Sequence, residues 1–269
     1  MRITPVVKQL LIINFIFYIG SQLVPMSYDL FSLYYPESSN FKVWQLVTHM
    51  FMHAPLPNFG HILFNMFALY SFGSALEHFW GGTKFLFFYI SCGLGAALLH
   101  TGVNYIQIHS LLNSVSDLNL TKSELYTLLN ADFSSVFDEK GQMVSSNIKA
   151  ILDRVHCTQE QFNIIAEARV LSHIPVIGAS GAIYGLLAAF AFMFPTAELG
   201  IMFIPIPIKA KYFVPGLLAI DLFLGLKGQS IFGAGSTGIA HFAHVGGAIT
   251  GFIMMWIWKK NQFNHKRWN

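Results

Sequence analysis

The sequence predicts an all-α membrane protein with six transmembrane helices and an extramembrane helical insert between helices 3 and 4. Of its 269 residues, 54% are hydrophobic and only 11% are charged, whereas a soluble domain carries about a quarter charged residues. Several apolar runs also approach the roughly 20 residues that cross a hydrocarbon layer. These runs fall near residues 9–25, 61–76, 84–104, 176–194, 212–226 and 239–258.

The first apolar run is interpreted as a retained membrane helix. A cleaved signal peptide has a small-residue cleavage site after its apolar stretch, and this run lacks one. Asn14 and Gln22 also interrupt the apolar stretch. The remaining runs lie between polar or charged segments, and we expect each of them to span the membrane once.

The insert is recognised by its charge. Residues 105–173 hold 8 of the 13 acidic residues but only 5 of the 16 basic ones. Thr121 with Glu124, and Thr158 with Gln161, have the spacing of capping boxes. We therefore expect two or three short amphipathic helices, with a turn at residues 138–141. The insert is either a lid that only packs on the rest of the protein or a surface that selects substrates or partners.

The predicted domain limits follow from this insert. Residues 1–104 hold the first three transmembrane helices, residues 105–173 form the insert, and residues 174–269 hold the last three helices and a cytoplasmic tail.

The basic residues predict the orientation. Lysine and arginine in short loops stay on the cytoplasmic side, and in a six-span arrangement the opposite short loops hold only Lys42 and Lys227. Both termini are therefore expected in the cytoplasm and the insert outside.

The absence of an arginine-rich presequence favours a plasma (inner) membrane. The cations form no continuous stripe, which argues against nucleic acid as a partner and leaves the lipid bilayer as the surrounding medium. The cations on the predicted cytoplasmic side are Arg2, Lys8, Lys84, Lys209, Lys211, Lys259, Lys260, Lys266 and Arg267.

Polar residues open the second, fourth and sixth apolar runs. His61 and Asn65 begin the second, Ser180 begins the fourth, and His244 lies about one turn into the sixth. Even-numbered spans all run in the same direction, so their first residues share one side of the membrane. Because polar groups within a bilayer are costly and usually functional, we expect these four side chains to converge on one site.

The chemistry of these groups suits nucleophilic hydrolysis. Gly181 with Gly185, and Gly247 with Gly251, have the spacing that lets membrane helices approach closely. That approach would bring the Ser180 hydroxyl to the His244 imidazole as nucleophile and general base. The alternative is that the glycines only pack helices and that Ser180 donates to a backbone carbonyl.

Two further side chains are candidates for binding an oxyanion. His61 and Asn65, at i and i+4, lie on one helix face and can both donate hydrogen bonds, as can the backbone N–H of Ser180 at a helix amino terminus. Alternatively, His61 contacts a loop carbonyl and Asn65 links two helices.

These motifs resemble those of the rhomboid intramembrane serine proteases. The resemblance comprises His-x-x-x-Asn on the second helix, Gly-x-Ser-Gly on the fourth and Ala-His-x-x-Gly-x-x-x-Gly on the sixth, and it covers the six-helix core but not the insert. It implies a rhomboid-like bundle in which Ser180 is the nucleophile and His244 the base. It also implies that His61, Asn65 and the Ser180 amide bind the oxyanion. The supporting positions that it implies are Gly178, Gly181, Tyr184, which packs on the catalytic histidine, Gly247 and Gly251.

The resemblance implies peptide-bond hydrolysis in or near transmembrane segments of membrane-protein substrates, without a cofactor. It also implies a catalytic dyad, and we expect no carboxylate near Ser180 or His244. Asp221, on the fifth span, is expected to be buried away from the outer face, in a packing or polar-network role. Gln45 follows Trp44 where many relatives have arginine, so we expect the first external loop to be held differently here. The long insert likewise replaces a short loop of the family.

Three other functions are weighed against the protease. A catalytically inactive rhomboid-like protein would bind transmembrane clients without cutting them. A metal transporter or metalloprotease would use a histidine cluster, but no His-Glu-x-x-His motif accompanies it. An aspartyl intramembrane protease would need two embedded aspartates, and only Asp221 qualifies. The histidines of that possible metal cluster are His49, His53, His61, His241 and His244.

Overall fold

The structure, a computed structural model, describes residues 2–132, 143–144, 146–201, 204–227 and 240–262. Within these ranges the chain is mostly helical. Three helical segments are long and apolar enough to cross a membrane, and Ser180–Met193 is a shorter apolar helix. The total of six spans therefore stays a prediction. The three long segments are Pro5–Leu23, Phe59–Trp80 and Gly82–Asn113.

The long apolar helices follow the predicted apolar runs in order, and shorter helices and two strands lie between them. The second run is interrupted by a π-helical turn at Leu69–Gly73, and 3₁₀ turns occupy His49–Phe51 and Ser116–Leu118. The helices are α1 (Pro5–Leu23), α2 (Ser27–Phe31), α3 (Gln45–Thr48), α4 (Phe59–Ala68), α5 (Ser74–Trp80), α6 (Gly82–Asn113), α7 (Lys122–Leu129), α8 (Asn147–Arg154), α9 (Gln159–His173), α10 (Ser180–Met193), α11 (Ala210–Lys227) and α12 (Ala240–Gln262). The strands are β1 (Glu198–Ile201) and β2 (Ile204–Lys209).

The two strands are a departure from the all-α prediction. They pair antiparallel, with Glu198 opposite Lys209 and Leu199 opposite Ile208. Residues 198–209 alternate apolar residues with glycine and proline, and those breakers usually mark a loop. The pairing of the two segments depends on residues up to eleven positions apart, so the helical periodicity of the flanking runs did not indicate it.

The described residues cluster into two compact units. The first comprises Met1–Leu33, Val43–His100 and Val176–Asn269, and the second comprises Tyr34–Lys42 and Thr101–Pro175. Compactness does not reveal the side of the membrane on which a segment lies. The predicted limits at 105 and 173 therefore stay a prediction.

The first unit has an apolar core to which α1, α4, α5, α6, α10, α11 and α12 contribute. Fully buried members include Val7, Leu76, Phe85, Tyr89 and Leu186. Continuous burial of such large side chains fixes these helices against one another through close van der Waals contact.

A buried carboxylate caps α1. Glu77 accepts hydrogen bonds from the backbone N–H groups of Val6, at 2.9 Å, and Val7, at 2.8 Å, and from the Thr4 hydroxyl. The first N–H groups of a helix have no partner within it and form the positive end of its dipole. Glu77 therefore stabilises the amino end of α1 and ties it to α5.

Glycines bring α10 and α12 into backbone contact. A Cβ atom at Gly247 would clash with the carbonyl oxygen of Gly181, and one at Gly251 would lie 2.7 Å from the carbonyl oxygen of Gly185. The close approach expected from the two small-residue patterns is thus confirmed. It matters for the site because Ser180 and His244 lie at the beginning of these two helices.

The second unit has its own apolar core, formed by Val115, Leu118, Leu128, Ile151, Leu152 and Ile165. Both predicted capping boxes are confirmed, at the amino ends of α7 and α9. α6 continues beyond residue 104 to Asn113, because residues 105–113 contain neither glycine nor proline to end it. The turn expected at residues 138–141 lies outside the described residues.

Candidate active site

Ser180 is the first residue of α10, and the turn before it requires glycine. Gly178 has a φ of +118°, a conformation that residues with a Cβ atom rarely adopt. Its N–H donates to the carbonyl oxygen of His49 at 2.9 Å, and Val176 pairs with Leu33 in an antiparallel bridge. These contacts fix the chain as it enters the turn and therefore help to fix where the Ser180 side chain begins.

The Ser180 hydroxyl contacts the imidazole of His244. Its Oγ lies 2.9 Å from His244 Nε2. The contact joins the first residue of α10 to the second turn of α12, and the glycine contacts between these helices allow it. The geometry is that of a hydroxyl nucleophile beside its general base.

Tyr184 holds the imidazole from one face. Its ring stacks on that of His244 with centroids 4.2 Å apart and planes 8° from parallel. Tyr184 lies one turn after Ser180 on α10, so the same helix supplies the hydroxyl and the surface on which the histidine rests. This stacking restricts rotation of the imidazole away from Ser180.

His61 lies beside the same turn, and a hydrogen bond fixes the orientation of its ring. The Ala54 N–H donates to His61 Nδ1 at 3.1 Å, so in the neutral imidazole the hydrogen is on Nε2. A Cβ atom at Gly178 would lie 3.1 Å from His61 Nε2 and 3.5 Å from Ser180 Oγ. Glycine at 178 thus keeps open the space between the His61 donor and the Ser180 hydroxyl.

Asn65 is buried one turn further along α4. Its Nδ2 donates to the carbonyl oxygen of His61 at 2.6 Å. This hydrogen bond uses one of the two amide hydrogens and leaves the other for a further acceptor. Asn65 therefore lies on the helix face that carries His61, as the i, i+4 spacing indicated.

Asp221 corrects the expectation that no carboxylate lies near the histidine. Its Oδ1 is 3.1 Å from His244 Nδ1 and 2.5 Å from His241 Nδ1. The reason is the contact between α11 and α12, where Gly225, one turn after Asp221, lies against Phe242 and His241. Asp221 is therefore buried in a polar network, one of the two roles expected for it, but that network includes His244 and does not lie away from the site.

The number of residues between each side chain and the end of its helix could have indicated that Asp221 lies close to His244. Asp221 lies about 9 Å from the end of α11 at Lys227, and His244 lies about 6 Å from the start of α12 at Ala240. Consecutive antiparallel helices place such residues at similar depths.

Part of the possible metal cluster comes together here. One ligand atom each from Asp221, His241 and His244 lie within 4.8 Å of one another. The two imidazole–carboxylate hydrogen bonds account for these contacts without a metal ion. His53 stacks obliquely on His61 at 5.3 Å, and His49 Nδ1 contacts the Gln45 carbonyl at 2.8 Å.

The loop before α4 carries two buried histidines. Burial lowers the pKa of His49 to about 4 and that of His53 to about 3. Both are therefore neutral at pH 7. Gln45, in the same loop, is also buried and donates to the backbone carbonyls of Asp29 and Leu30 at 3.2 and 3.4 Å. An uncharged amide here ties the loop to the segment after α1.

Comparison with known proteins agrees with the motifs. The family model for the rhomboid domain matches residues 40–108 and 150–261, more than half of the chain. An uncharacterized mitochondrial rhomboid protein of Schizosaccharomyces pombe is 28% identical over 232 residues, which cover 81% of this chain and 52% of that protein. The chain thus spans about half the length of this relative. The match of the rhomboid domain over most of the described helices shows that the chain belongs to the rhomboid family.

Proposed function

We propose that this rhomboid protein is an intramembrane serine endopeptidase that cuts membrane-protein substrates in or near their transmembrane segments. The observation that carries the proposal is the 2.9 Å contact between Ser180 Oγ and His244 Nε2 at the beginning of an apolar helix. A hydroxyl becomes a useful nucleophile when an adjacent base takes its proton. Membership of the rhomboid family supports the same chemistry, because the motifs of this chain resemble those of the rhomboid intramembrane serine proteases.

In the proposed reaction, Ser180 Oγ adds to the scissile carbonyl carbon as its proton passes to His244 Nε2. The carbonyl oxygen becomes an oxyanion that the Ser180 N–H, His61 and Asn65 stabilise. The carbon–nitrogen bond then breaks, and the imidazolium gives its proton to the leaving amine. A water molecule, deprotonated by His244, hydrolyses the ester on Ser180 and restores the hydroxyl.

The proposed topology has six spans formed by α1, α4 with α5, α6, α10, α11 and α12. Both termini are cytoplasmic, and residues 105–173 lie outside a plasma (inner) membrane. The length of α10 supports a site below the membrane surface. Its 14 residues extend about 21 Å, less than the roughly 30 Å of hydrocarbon, so Ser180 at its first residue is recessed when its last residue is at the surface.

The proposed substrates are single-span membrane proteins with a small residue at the cleaved bond. A peptide bond inside a helix is shielded by its neighbours, so the substrate must unwind locally before attack. Helix-weakening residues such as glycine or proline near the bond favour that unwinding.

Cleavage of a transmembrane reporter in liposomes tests the proposal. We expect wild type to cut the reporter and Ser180→Ala and His244→Ala to be inactive, with EDTA having no effect. Ser114→Ala and His109→Ala, both in the second unit, are matched controls that keep activity. Cleavage by Ser180→Ala would refute the nucleophile, and loss of wild-type activity in EDTA would favour a metal at Asp221, His241 and His244.

Labelling with a serine-directed fluorophosphonate separates the protease from an inactive rhomboid-like protein that only binds transmembrane clients. Wild type should be labelled and Ser180→Ala should not. A folded wild-type protein that neither cleaves the reporter nor reacts with the probe would favour the binding role.

A further inference from the structure

Asp221 is a buried carboxylate in a mostly apolar helix. It is 4% exposed, and Oδ1 is the shared partner of two imidazole nitrogens. A carboxylate removed from water is costly unless hydrogen-bonded, and within a membrane helix it usually marks function. Packing alone does not account for it, because an apolar side chain would fill the same space without that cost.

The carboxylate dictates where the hydrogen of His244 lies. An ionised carboxylate only accepts hydrogen bonds, so the contact with His244 Nδ1 requires the hydrogen on Nδ1. In the neutral ring this leaves the lone pair on Nε2, which is 2.9 Å from the Ser180 hydroxyl. That tautomer is the one in which His244 can take the proton of Ser180.

His241 orients the same carboxylate through a hydrogen bond. It lies three residues before His244 on α12, with ring centroids 6.0 Å apart and planes at 85°. A single oxygen of Asp221 therefore receives an N–H from each ring. The hydrogen bond from His241 fixes that oxygen toward α12 and keeps it aimed at His244.

We infer that Asp221 is a positioning residue that turns the Ser180–His244 pair into a triad, with His241 holding the carboxylate in place. The inference rests on the proposed peptidase function. When the Ser180 proton moves to Nε2, His244 becomes a cation whose Nδ1–H still donates to Asp221. The carboxylate stabilises this charge and does not take the proton, which passes from Nε2 to the leaving amine.

Substitution of Asp221 by asparagine tests the inference in the full-length protein in liposomes. The amide keeps the size of the side chain but removes the charge and lets the wrong tautomer of His244 form. By analogy with another serine triad, kcat should fall by up to about 10⁴-fold while KM changes little. Asp153→Asn, the same change at an exposed position of α8, should keep wild-type kcat. A kcat for Asp221→Asn within a few-fold of wild type would overturn the inference.

A measurement on wild type keeps the inference testable even where Asp221→Asn does not fold. Nitrogen-15 NMR of histidine-labelled protein distinguishes the two imidazole tautomers, with the His244 signals assigned by their loss in His244→Gln. Protonated Nδ1 with unprotonated Nε2 is the expected result. The reverse tautomer would overturn the role of Asp221.

The two measurements also separate this inference from the proposed function. Reporter cleavage by wild type and not by Ser180→Ala, together with full activity of Asp221→Asn, would retain the peptidase and remove the triad. A wild type that cuts no reporter and reacts with no serine probe would remove the peptidase, and the triad with it.

Discussion

At the scale of single residues, the candidate site depends on side chains that are held by one hydrogen bond. That bond fixes the direction in which their remaining N–H group can donate. His61 accepts the Ala54 N–H on Nδ1, which leaves Nε2–H as its donor. Asn65 donates one amide hydrogen to the His61 carbonyl and retains another. Donors held in this way need little reorganisation when negative charge develops on a nearby oxygen.

Asn65→Ala tests one oxyanion donor. Loss of such a donor raises the barrier by about 2.7–4 kcal/mol in other enzymes, so kcat for reporter cleavage should fall by about 10²- to 10³-fold. Asn163→Ala, at an exposed position of α9, is the matched control and should leave kcat unchanged. The thermal midpoint of both variants should be recorded, because Asn65 also contacts the His61 carbonyl. Wild-type turnover by a folded Asn65→Ala protein would remove Asn65 from the site.

The buried loop histidines predict how stability depends on pH. Burial lowers the pKa of His49 from 6.5 to about 4, so between these values the unfolded chain binds more protons than the folded one. The contribution of His49 is therefore complete above pH 6.5 and is lost as the pH falls toward 4, by about 1.4 kcal/mol per pH unit. Unfolding free energies in detergent at pH 7.5, 6 and 5 measure this slope.

Replacement of His49 by glutamine should make that slope shallower, because one titrating group is removed. His53, whose pKa burial lowers to about 3, should contribute a similar slope, so the double variant His49→Gln, His53→Gln should be shallower still. A wild-type free energy of unfolding that is constant from pH 7.5 to 5 would contradict the prediction.

At the scale of elements, the contact between α10 and α12 controls the distance between Ser180 and His244. Gly247→Ala would place a methyl group against the Gly181 carbonyl oxygen. The helices must then separate, so both reporter cleavage and the thermal midpoint should fall. Gly216→Ala in α11 is the matched control, because a Cβ atom there meets nothing within 4 Å. It should keep activity and gain up to about 1 kcal/mol from better helix propensity.

An active Gly247→Ala protein with an unchanged thermal midpoint would show that the two backbones do not need to touch. Gly251→Ala creates a less severe clash than Gly247→Ala, because the Cβ atom there would lie 2.7 Å from the Gly185 carbonyl oxygen. The loss of stability should be smaller for Gly251→Ala than for Gly247→Ala.

The elements also show how far sequence reasoning extends. Capping boxes at Thr121 and Thr158 and the proximity of Ser180 to His244 were predictable, because local spacing and helix direction determine them. The catalytic roles stay predictions. Two other contacts depend on which helices are neighbours in the fold. Glu77 caps α1 although it lies about seventy residues away in the sequence, and Asp221 contacts the histidines of α12. A periodic pattern indicates the buried face of a helix but not the element that covers it.

At the scale of the whole molecule, the proposed topology concerns where the charges lie relative to the bilayer. Lysine and arginine near the membrane resist translocation, which supports cytoplasmic termini. The acidic balance of residues 105–173 is compatible with translocation of that segment. The chain has one cysteine in each compact unit, Cys92 and Cys157, and their different exposure makes them natural probes of topology.

Cys157 should react with a membrane-impermeant maleimide added to intact cells, because the proposed topology puts residues 105–173 outside. Its side chain is partly exposed, whereas Cys92 is fully buried and should not react. Burial and the nearby Asp117 raise the pKa of the Cys157 thiol, so labelling should accelerate from pH 7 to 8.5 as thiolate forms. Cys157→Ser should abolish the label, and Arg2→Cys in that variant should react only after permeabilisation. Labelling of Cys157 that also required permeabilisation would reverse the proposed orientation of the molecule.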